Sequence, residues 1–275
     1  MKTDMSESLV HAGATLEADL VSQESVRPAV AQPELCPCGA PVDPDLIELR
    51  TMLPSLPSLC TACYEVSHRE DEARDRRDRE NAEHRRRLAL LDATVPPEIL
   101  ATDLSHPTFN KALFVAAQGW QPDSGKWLFI SGPPGKCKTR VVGLLVKRLI
   151  LDGHRVTWAT AGELQAAVEA LNAYGKSEAA HRAAEMAKLR AWRTAGILVL
   201  DDLGKNTWFP TLESKLFDLI DHRKTNYLPT IITANSPLKD LLREMLQASG
   251  NNAARSGPII GRIIEASKGW TLSAA

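Results

Sequence analysis

From residue 127 onward, the sequence alternates short apolar segments with longer segments of helical periodicity. The apolar segments are short enough to be buried strands rather than helices. They lie at 127–131, 155–160, 197–200 and 230–233. The helical segments lie at 139–152, at 161–193 with a break near Tyr174-Gly175, at 212–223 and at 258–266. Because strands joined through helices run parallel, this alternation predicts an α/β domain with a parallel sheet and helices on both of its faces.

The charge balance excludes proteins that bind nucleic acid through a bulk positive charge. Lysine and arginine number 33 against 34 acidic residues, so the 275-residue chain has a formal net charge of −1. Any contact with nucleic acid must come from a local basic patch. No segment approaches the roughly 18 apolar residues of a membrane span, and the polar N-terminus has no apolar signal core. We therefore expect a cytoplasmic protein with no membrane partner.

The segment GPPGKCKT follows the first predicted strand and opens into the first helix, as a phosphate-binding loop does. In such a loop, backbone N–H groups turn toward the phosphates at the positive end of the helix. Lys138 reaches the outer phosphates, and the hydroxyl of Thr139 coordinates Mg²⁺. We therefore predict an ATP site. Its residues are Gly132, Pro133, Pro134, Gly135, Lys136, Cys137, Lys138, Thr139 and Arg140.

Cys137 departs from the usual pattern of this loop, G-x-x-x-x-G-K-[ST], because it stands where the last glycine belongs. If this residue adopts a positive φ, its side chain costs about 1–2 kcal/mol of conformational free energy. The departure leaves the rate of ATP hydrolysis open.

Polar side chains end the third and fourth predicted strands, at the sheet edge where the loop lies. Asp201 and Asp202 follow the third strand, which places a carboxylate where a magnesium ion beside the loop needs an oxygen ligand. We predict that Thr139 and Asp201 hold this ion. Asn235 follows the fourth strand and either orients the attacking water or is an ordinary residue of the turn.

Four segments in this order resemble the AAA+ ATPases of the DnaC/IstB group, which are helicase loaders and transposition helpers. They are GPPGKCKT, ILVLDDLGK, LFDLIDHRKTNYLPTIITANSP and GPIIGRIIEAS. The resemblance spans residues 95–272 and includes VPPEILATDLSHPTF. It implies a P-loop AAA+ core of the ASCE class that hydrolyses ATP to ADP and phosphate. By the same resemblance, Asp201 holds the magnesium-associated water, Asp202 polarises the attacking water and Asn235 is the sensor.

The resemblance also implies that Arg262, in GPIIGRIIE, is the arginine finger for the ATP site of a neighbouring subunit, so that the chain self-associates there. Arg255 is the alternative finger. Because a contact in trans cannot be seen in one chain, a non-catalytic alternative for Arg262 stays open. In that alternative Arg262 is a surface residue paired with an acid such as Glu265.

Four of the five cysteines form two close pairs, Cys36 with Cys38 and Cys60 with Cys63. Two such pairs can form the two turns around one tetrahedral zinc ion, and a site closed by four thiolates is structural rather than catalytic. The alternative is unligated thiols in a loose loop. His68 is a possible substitute ligand. The alternative is that His68 is a solvated residue, as a single histidine on a charged helix often is.

These segments divide the chain into a flexible tail at 1–35, a zinc-binding module at 36–67, a charged helical linker at 68–94 and the AAA+ domain at 95–275. The linker interleaves acids and arginines at helical spacing, which is typical of a solvated connecting helix. The alternative is a DNA-contacting face formed by Arg85, Arg86 and Arg87.

We predict an ATP-dependent helicase loader of DNA replication, similar to DnaC and from a phage or mobile element, that binds a replicative helicase, single-stranded DNA or both. Some loaders that this chain resembles carry an N-terminal zinc module that grips the helicase, whereas transposition helpers usually start with a helical DNA-binding segment. The alternatives are an IstB-like helper of a transposase and a nucleotide-dependent clamp that hardly hydrolyses ATP.

Five basic residues between the second and third predicted strands are candidate contacts for single-stranded DNA. The alternative is that they belong to a solvated helix face. They are Lys176, Arg182, Lys188, Arg190 and Arg193.

Overall fold

The computed structural model describes residues 33–173, 179–248 and 253–274. The chain divides into two compact units, unit 1 at 1–75 and unit 2 at 76–275. Most of the predicted tail and the predicted helix break at Tyr174-Gly175 lie outside the described residues. None of the helices within the described ranges combines the length and the apolar character that a membrane span requires.

Unit 1 contains helix α1 at Pro44–Met52 and the start of helix α2 at Thr61–Thr94. The Asp43 carboxylate caps α1 by accepting the N–H of Asp45, and a proline occupies the first turn. The charged helix that the sequence predicts is α2. It begins earlier than the predicted linker, because no glycine or proline interrupts its sequence.

Unit 2 is built on a five-stranded parallel sheet with the strand order β2-β3-β4-β1-β5. The strands are β1 at Leu128–Ser131, β2 at Val156–Thr160, β3 at Ile197–Leu203, β4 at Thr230–Ala234 and β5 at Thr271–Ser273. The predicted parallel α/β sheet is confirmed. The edge strand β5 is not predicted from the sequence, because three residues are too short for a recognisable pattern.

Helices cover both faces of this sheet. They are α3 at Pro97–Leu100, α4 at Lys111–Gln118, α5 at Lys138–Leu151, α6 at Ala161–Ala173, α7 at Ala179–Thr194, α8 at Pro210–Thr225, α9 at Leu238–Ala248 and α10 at Ala253–Ala266. Helix α9 is not predicted from the sequence, and it buries only Leu241 and Met245 among its apolar residues. The predicted start of the last helix at Pro258 is wrong, because Pro258 lies inside α10 and not in its first turn, where proline is common.

Two apolar cores lie on opposite faces of the sheet, because successive side chains of a strand point to opposite sides. In β1, Leu128 and Ile130 pack in the core that includes Leu145 of α5. Phe129, between them, packs in the core that includes Ile220 of α8. The predicted arrangement of helices on both faces is thereby confirmed.

At the amino ends of β3 and β4, the fully buried guanidinium of Arg223 joins two backbone segments, 192–195 and 229–230. Its Nε donates to Thr230 Oγ1 at 2.9 Å, and its terminal nitrogens donate to the carbonyl oxygens of Trp192, Ala195 and Pro229 at 3.0, 2.8 and 2.6 Å. Desolvation by burial lowers the pKa of Arg223 to about 10. This side chain therefore organises the end of the sheet opposite the acid pair.

Candidate functional site

The strand order brings three predicted site segments to one edge of the sheet. Strand β4 lies between β1, which leads into the loop, and β3, which ends in the acid pair. Because the carboxyl ends of parallel strands meet at one edge, the residue after β4 lies between the loop and the acids. The side chains that meet here are Lys138, Thr139, Asp201, Asp202 and Asn235.

The predicted phosphate-binding loop has a backbone that glycine makes possible at two positions. At Gly132, a Cβ atom would collide with the backbone oxygen of Ala274, just after β5. At Gly135 no neighbouring atom lies within 4 Å of the position of a Cβ atom, so the reason for glycine is the backbone φ of 80°. Helix α5 begins at Lys138, so that its N-terminal N–H groups and the positive end of its dipole lie at the loop.

Cys137 adopts the left-handed conformation, with φ 60° and ψ 17°. This is the strained backbone that the sequence analysis considered for a residue in place of the last glycine. The half-buried side chain turns toward the segment before the first strand, where Sγ donates to the carbonyl oxygen of Thr108 at 3.5 Å. The thiol therefore has a protein partner on the side of the loop that faces residues 101–109.

Lys138 is buried at the centre of the loop, with 5% of its surface exposed. Its ammonium donates to the carbonyl oxygens of Gly132 and Pro133 at 2.7 and 2.9 Å and to Asn235 Oδ1 at 3.0 Å. Desolvation by burial lowers the pKa of Lys138, and the negative charge of the acid pair partly offsets this effect. The contact with Asn235 links the predicted sensor directly to the predicted phosphate-binding lysine.

Asp201 is buried beside the first turn of α5. Its Oδ1 accepts a hydrogen bond from Thr139 Oγ1 at 3.2 Å and one from Thr233 Oγ1 at 2.5 Å. Burial raises the pKa of Asp201, while the hydrogen bond from Thr233 lowers it. A hydroxyl oxygen and a carboxylate oxygen thus lie side by side, and these are donors that suit Mg²⁺. Sequence reasoning missed Thr233, which looks like an ordinary strand residue.

Asp202 has a left-handed backbone, with φ 59°. Its N–H donates to Thr233 Oγ1 at 2.8 Å, and its carboxylate accepts from Lys205 Nζ at 2.5 Å. Lys205 lines the same cleft as Lys138 and is a second cation at this edge that sequence reasoning missed. Its place in the turn directly after the strand that carries Asp202 was the available signal.

A cavity of about 300 Å³ lies next to the loop, between Cys137, Arg140 and the segment before the first strand. Arg140 donates to the carbonyl oxygen of Glu98 and to Thr102 Oγ1, each at 3.2 Å. It lines both this cavity and the cleft at the loop. The other lining residues are Ala101, Thr102, Asp103, His106, Thr108 and Phe109.

Arg262 lies away from the loop of its own chain. Its Nε donates to Asp221 Oδ1 at 2.6 Å, and its guanidinium lies 4.5 Å from the centroid of the Phe217 ring. The acid that pairs with it is therefore Asp221, whereas Glu265 pairs with Lys224.

Arg255, the alternative finger, is an exposed residue near the start of α10. Its positive charge acts on the buried carboxyl of Glu213 in α8, whose pKa burial raises and Arg255 lowers. Neither arginine lines the loop cleft of its own chain. An arginine finger, which acts on the ATP site of a neighbouring subunit, would not line it either.

The four predicted zinc ligands come together in unit 1. The sulfurs of Cys36, Cys38, Cys60 and Cys63 all lie within 4.8 Å of one another. Cys38 Sγ and Cys60 Sγ are 3.6 Å apart. Four sulfurs at zinc–sulfur distances of about 2.3 Å in a tetrahedron are about 3.8 Å from each other, so the donor set fits zinc.

Hydrogen bonds within the cluster shift the pKa values of Cys36 and Cys63 in opposite directions. Backbone hydrogen bonds from Cys38 and Cys60 lower the pKa of Cys36 to about 6. Side-chain hydrogen bonds with Cys38, Cys60 and Cys36 raise the pKa of Cys63 to about 12. His68 is not part of the cluster: it is exposed on α2, with Nδ1 3.6 Å from Glu72 Oε1.

The basic residues considered for DNA binding have different surroundings. Lys188 pairs with Glu185 at 2.8 Å, while Arg190 and Arg193 line a cavity of about 240 Å³ between α7 and α8. Lys176 lies outside the described residues. On α2, Arg85 and Arg86 are exposed. Arg87 instead donates to Glu83 and to the carbonyl oxygen of Leu151, at 3.2 and 2.7 Å.

No protein-family model and no curated protein matches this sequence. Solved structures do match it. A crystal structure of DnaI is 19% identical, covers 67% of this chain and 92% of its own, and has a TM-score of 0.49. For a DnaC helicase loader, the values are 24% identity, 66% and 94% coverage, and a TM-score of 0.43.

A third match is domain III of the Thermotoga maritima replication initiation protein DnaA, with 17% identity, 65% and 68% coverage, and a TM-score of 0.47. Of these three, one is named as a helicase loader and one as a replication initiation protein.

Proposed function

We propose that this chain is an ATP-dependent helicase loader of DNA replication that binds ATP with Mg²⁺, hydrolyses it and contacts a replicative helicase and single-stranded DNA. The observation that carries the proposal is the meeting of Lys138, Asp201 and Asn235 at the sheet edge where the loop opens into α5. The cluster of four thiols in unit 1 favours a loader over a transposition helper, as the resemblance to the DnaC/IstB group implies.

In this proposal the N–H groups of the loop bind the phosphates. When ATP binds, the ammonium of Lys138 leaves the carbonyl oxygens of the loop and donates to phosphate oxygens instead. Thr139 and Asp201 hold Mg²⁺, which supplies positive charge to the phosphates when bound. Asp202 accepts a hydrogen bond from the attacking water and polarises it. Asn235, which already contacts Lys138, lies where it can orient that water.

The cavity beside Cys137 and Arg140 accommodates the base and the sugar, because it adjoins the loop and has both polar and apolar walls. Arg262 acts on the ATP of a neighbouring subunit. Its ion pair with Asp221 holds the guanidinium at the surface of α10 until such a neighbour binds. Zinc in the four-thiol cluster is structural, because the closed site leaves no position for a substrate.

The nucleotide site is tested with Lys138→Ala in the full chain. We expect binding of a fluorescent ATP analogue to be abolished, because no other cation is buried at the centre of the loop. The matched control is Lys147→Ala, since Lys147 is an exposed lysine of the same helix and its removal should leave the affinity unchanged. Unchanged affinity of Lys138→Ala would contradict the nucleotide site.

The loader function is tested with Asp202→Asn, which keeps the shape of the side chain but removes the carboxylate. We expect normal ATP binding and no phosphate release. In loading assays with a hexameric replicative helicase, wild type should transfer the helicase to single-stranded DNA and complete the cycle, whereas Asp202→Asn should form the complex and fail to release it. Copurification with a transposase and not with a helicase would support the transposition helper instead.

A second candidate function is a clamp that binds ATP but hardly hydrolyses it. The observation in its favour is the left-handed backbone of Cys137, where the loop pattern has glycine. Tight ATP binding together with a turnover close to that of Asp202→Asn would favour the clamp over the loader.

A further inference from the structure

At the carboxyl edge of the sheet, β3 carries one residue more than its neighbour β4. The register of the two strands shifts between Leu200 and Leu203. Asp201 and Asp202 therefore both lie opposite Thr233 in a β-bulge, which increases the twist and re-aims side chains. The two acids of the candidate site thus share one partner on the next strand.

The hydroxyl of Thr233 uses both of its hydrogen-bonding functions on this pair. Its O–H donates to Asp201 Oδ1 at 2.5 Å, and its oxygen accepts the backbone N–H of Asp202 at 2.8 Å. Thr233 is fully buried. The second of these contacts holds the residue with φ 59°, a conformation that a non-glycine residue needs its surroundings to maintain.

We propose that Thr233 is a positioning residue that sets the carboxylate of Asp201 for Mg²⁺ and the backbone of Asp202 for the attacking water. This inference rests on the proposed ATP site. The other donor to Asp201 Oδ1 is Thr139, at the longer distance of 3.2 Å. Because Thr139 is also expected to contact Mg²⁺, Thr233 is the contact that persists when the ion is bound.

The same strand offers a matched control. Thr230 is also a fully buried threonine of β4, and its hydroxyl also has two partners: it accepts from Arg223 Nε at 2.9 Å and donates to the carbonyl oxygen of Leu228 at 3.2 Å. It lies at the amino end of the strand, away from the loop. Replacing either threonine by valine removes two hydrogen bonds in a buried place, but only Thr233 touches the acid pair.

The experiment compares Thr233→Val, Thr233→Ala, Thr233→Ser and Thr230→Val with wild type in the full chain. It measures ATP affinity without Mg²⁺, the Mg²⁺ concentration for half-maximal binding of a fluorescent ATP analogue, KM and kcat for phosphate release, and thermal unfolding. Thr233→Ala is included because valine forces a second methyl group into the position of the hydroxyl.

For Thr233→Val and Thr233→Ala we expect kcat to fall by about tenfold or more, as the loss of a hydrogen bond to a charged group predicts. The half-maximal Mg²⁺ concentration should rise several-fold, and ATP affinity without Mg²⁺ should not change. Thr233→Ser should keep both values close to wild type. Thr230→Val should lower thermal stability while kcat and the Mg²⁺ dependence stay unchanged.

An unchanged kcat and Mg²⁺ dependence in Thr233→Val or Thr233→Ala would overturn the inference. So would a loss in Thr230→Val as large as that in Thr233→Val, because the effect would then be one of strand stability. If wild type binds ATP without hydrolysing it, the loader proposal fails, and the Mg²⁺ dependence of the Thr233 variants still decides whether Thr233 positions Asp201.

Discussion

Unit 1 and unit 2 are held together in different ways. In unit 2, two apolar cores sandwich a parallel sheet, and side chains such as Phe129 and Leu145 are completely buried. In the part of unit 1 that the structure describes, Val42 is the only buried apolar side chain other than Cys36 and Cys60. Helix α1 buries no residue at all.

The difference lies in apolar burial, which is extensive in unit 2 and small in the described part of unit 1. Burial of apolar surface contributes roughly 25 cal/mol per Å², which is ample for two extended cores and far too little for the small cluster around Val42 in the described part of unit 1. The four thiols of unit 1 lie where such a core would be, and zinc bound there would supply the folding free energy that apolar burial does not. The variants below test this division, from the largest expected effect to the smallest.

The largest effect is expected from Cys60→Ser combined with Cys63→Ser. The double variant should lose one bound zinc per chain and unfold unit 1, because structural zinc contributes about 10 kcal/mol or more to the folding of such modules. Metal analysis and limited proteolysis at 44–52 measure the two effects. In the double variant, unit 2 should keep its ATP affinity. The control is Cys137→Ser, which changes the cysteine outside the cluster and should keep the bound zinc. An intact protein without zinc would contradict this account of unit 1.

Phe129→Ala should lower the free energy of unfolding of unit 2 by about 3–5 kcal/mol, since it opens a cavity in a closely packed core. The measurement is urea unfolding followed by tryptophan fluorescence. All six tryptophans lie in unit 2, so the signal reports this unit alone. Val42→Ala in unit 1 is the control and should not move the transition. A shift with Val42→Ala would mean that the two units unfold together.

Arg223→Met should destabilise unit 2 by about 3 kcal/mol, because it removes the guanidinium that donates to the carbonyl oxygens of Trp192 and Ala195 while keeping the apolar stem. Lys224→Met is the neighbouring control, and it breaks only the surface pair with Glu265, for an expected effect below about 1 kcal/mol. Both variants should bind ATP normally, since these side chains lie at the opposite end of the sheet. Equal destabilisation of the two would show that the buried hydrogen bonds of Arg223 contribute no more than a surface ion pair.

The smallest effect, and one of opposite sign, is expected from Cys137→Gly. Glycine removes the strain of a side chain at φ 60° and should stabilise unit 2 by about 1 kcal/mol, with ATP turnover raised or unchanged. Thiol modification should then no longer affect turnover. A marked fall in turnover would mean instead that the contact of Cys137 with Thr108 supports the active shape of the loop.

The sequence by itself determined the alternation of strands and helices, the loop before α5, the acid pair and the two pairs of cysteines. These features are local: periodicity, a glycine-rich turn and short spacings are set by neighbouring residues. The parallel sheet follows from them, because helical connections between strands leave few other arrangements.

Tertiary structure alone decided which distant residues share a contact. The bulge that places Thr233 opposite both acids arises from the register of β3 on β4, and no property of either segment encodes it alone. In the same way, Arg262 meets Asp221 rather than Glu265 because α10 packs on α8. Arg223 is buried where the end of α7 and the residue before β4 offer carbonyl oxygens to its guanidinium. Such contacts depend on the packing of whole elements, which a pattern within one segment does not contain.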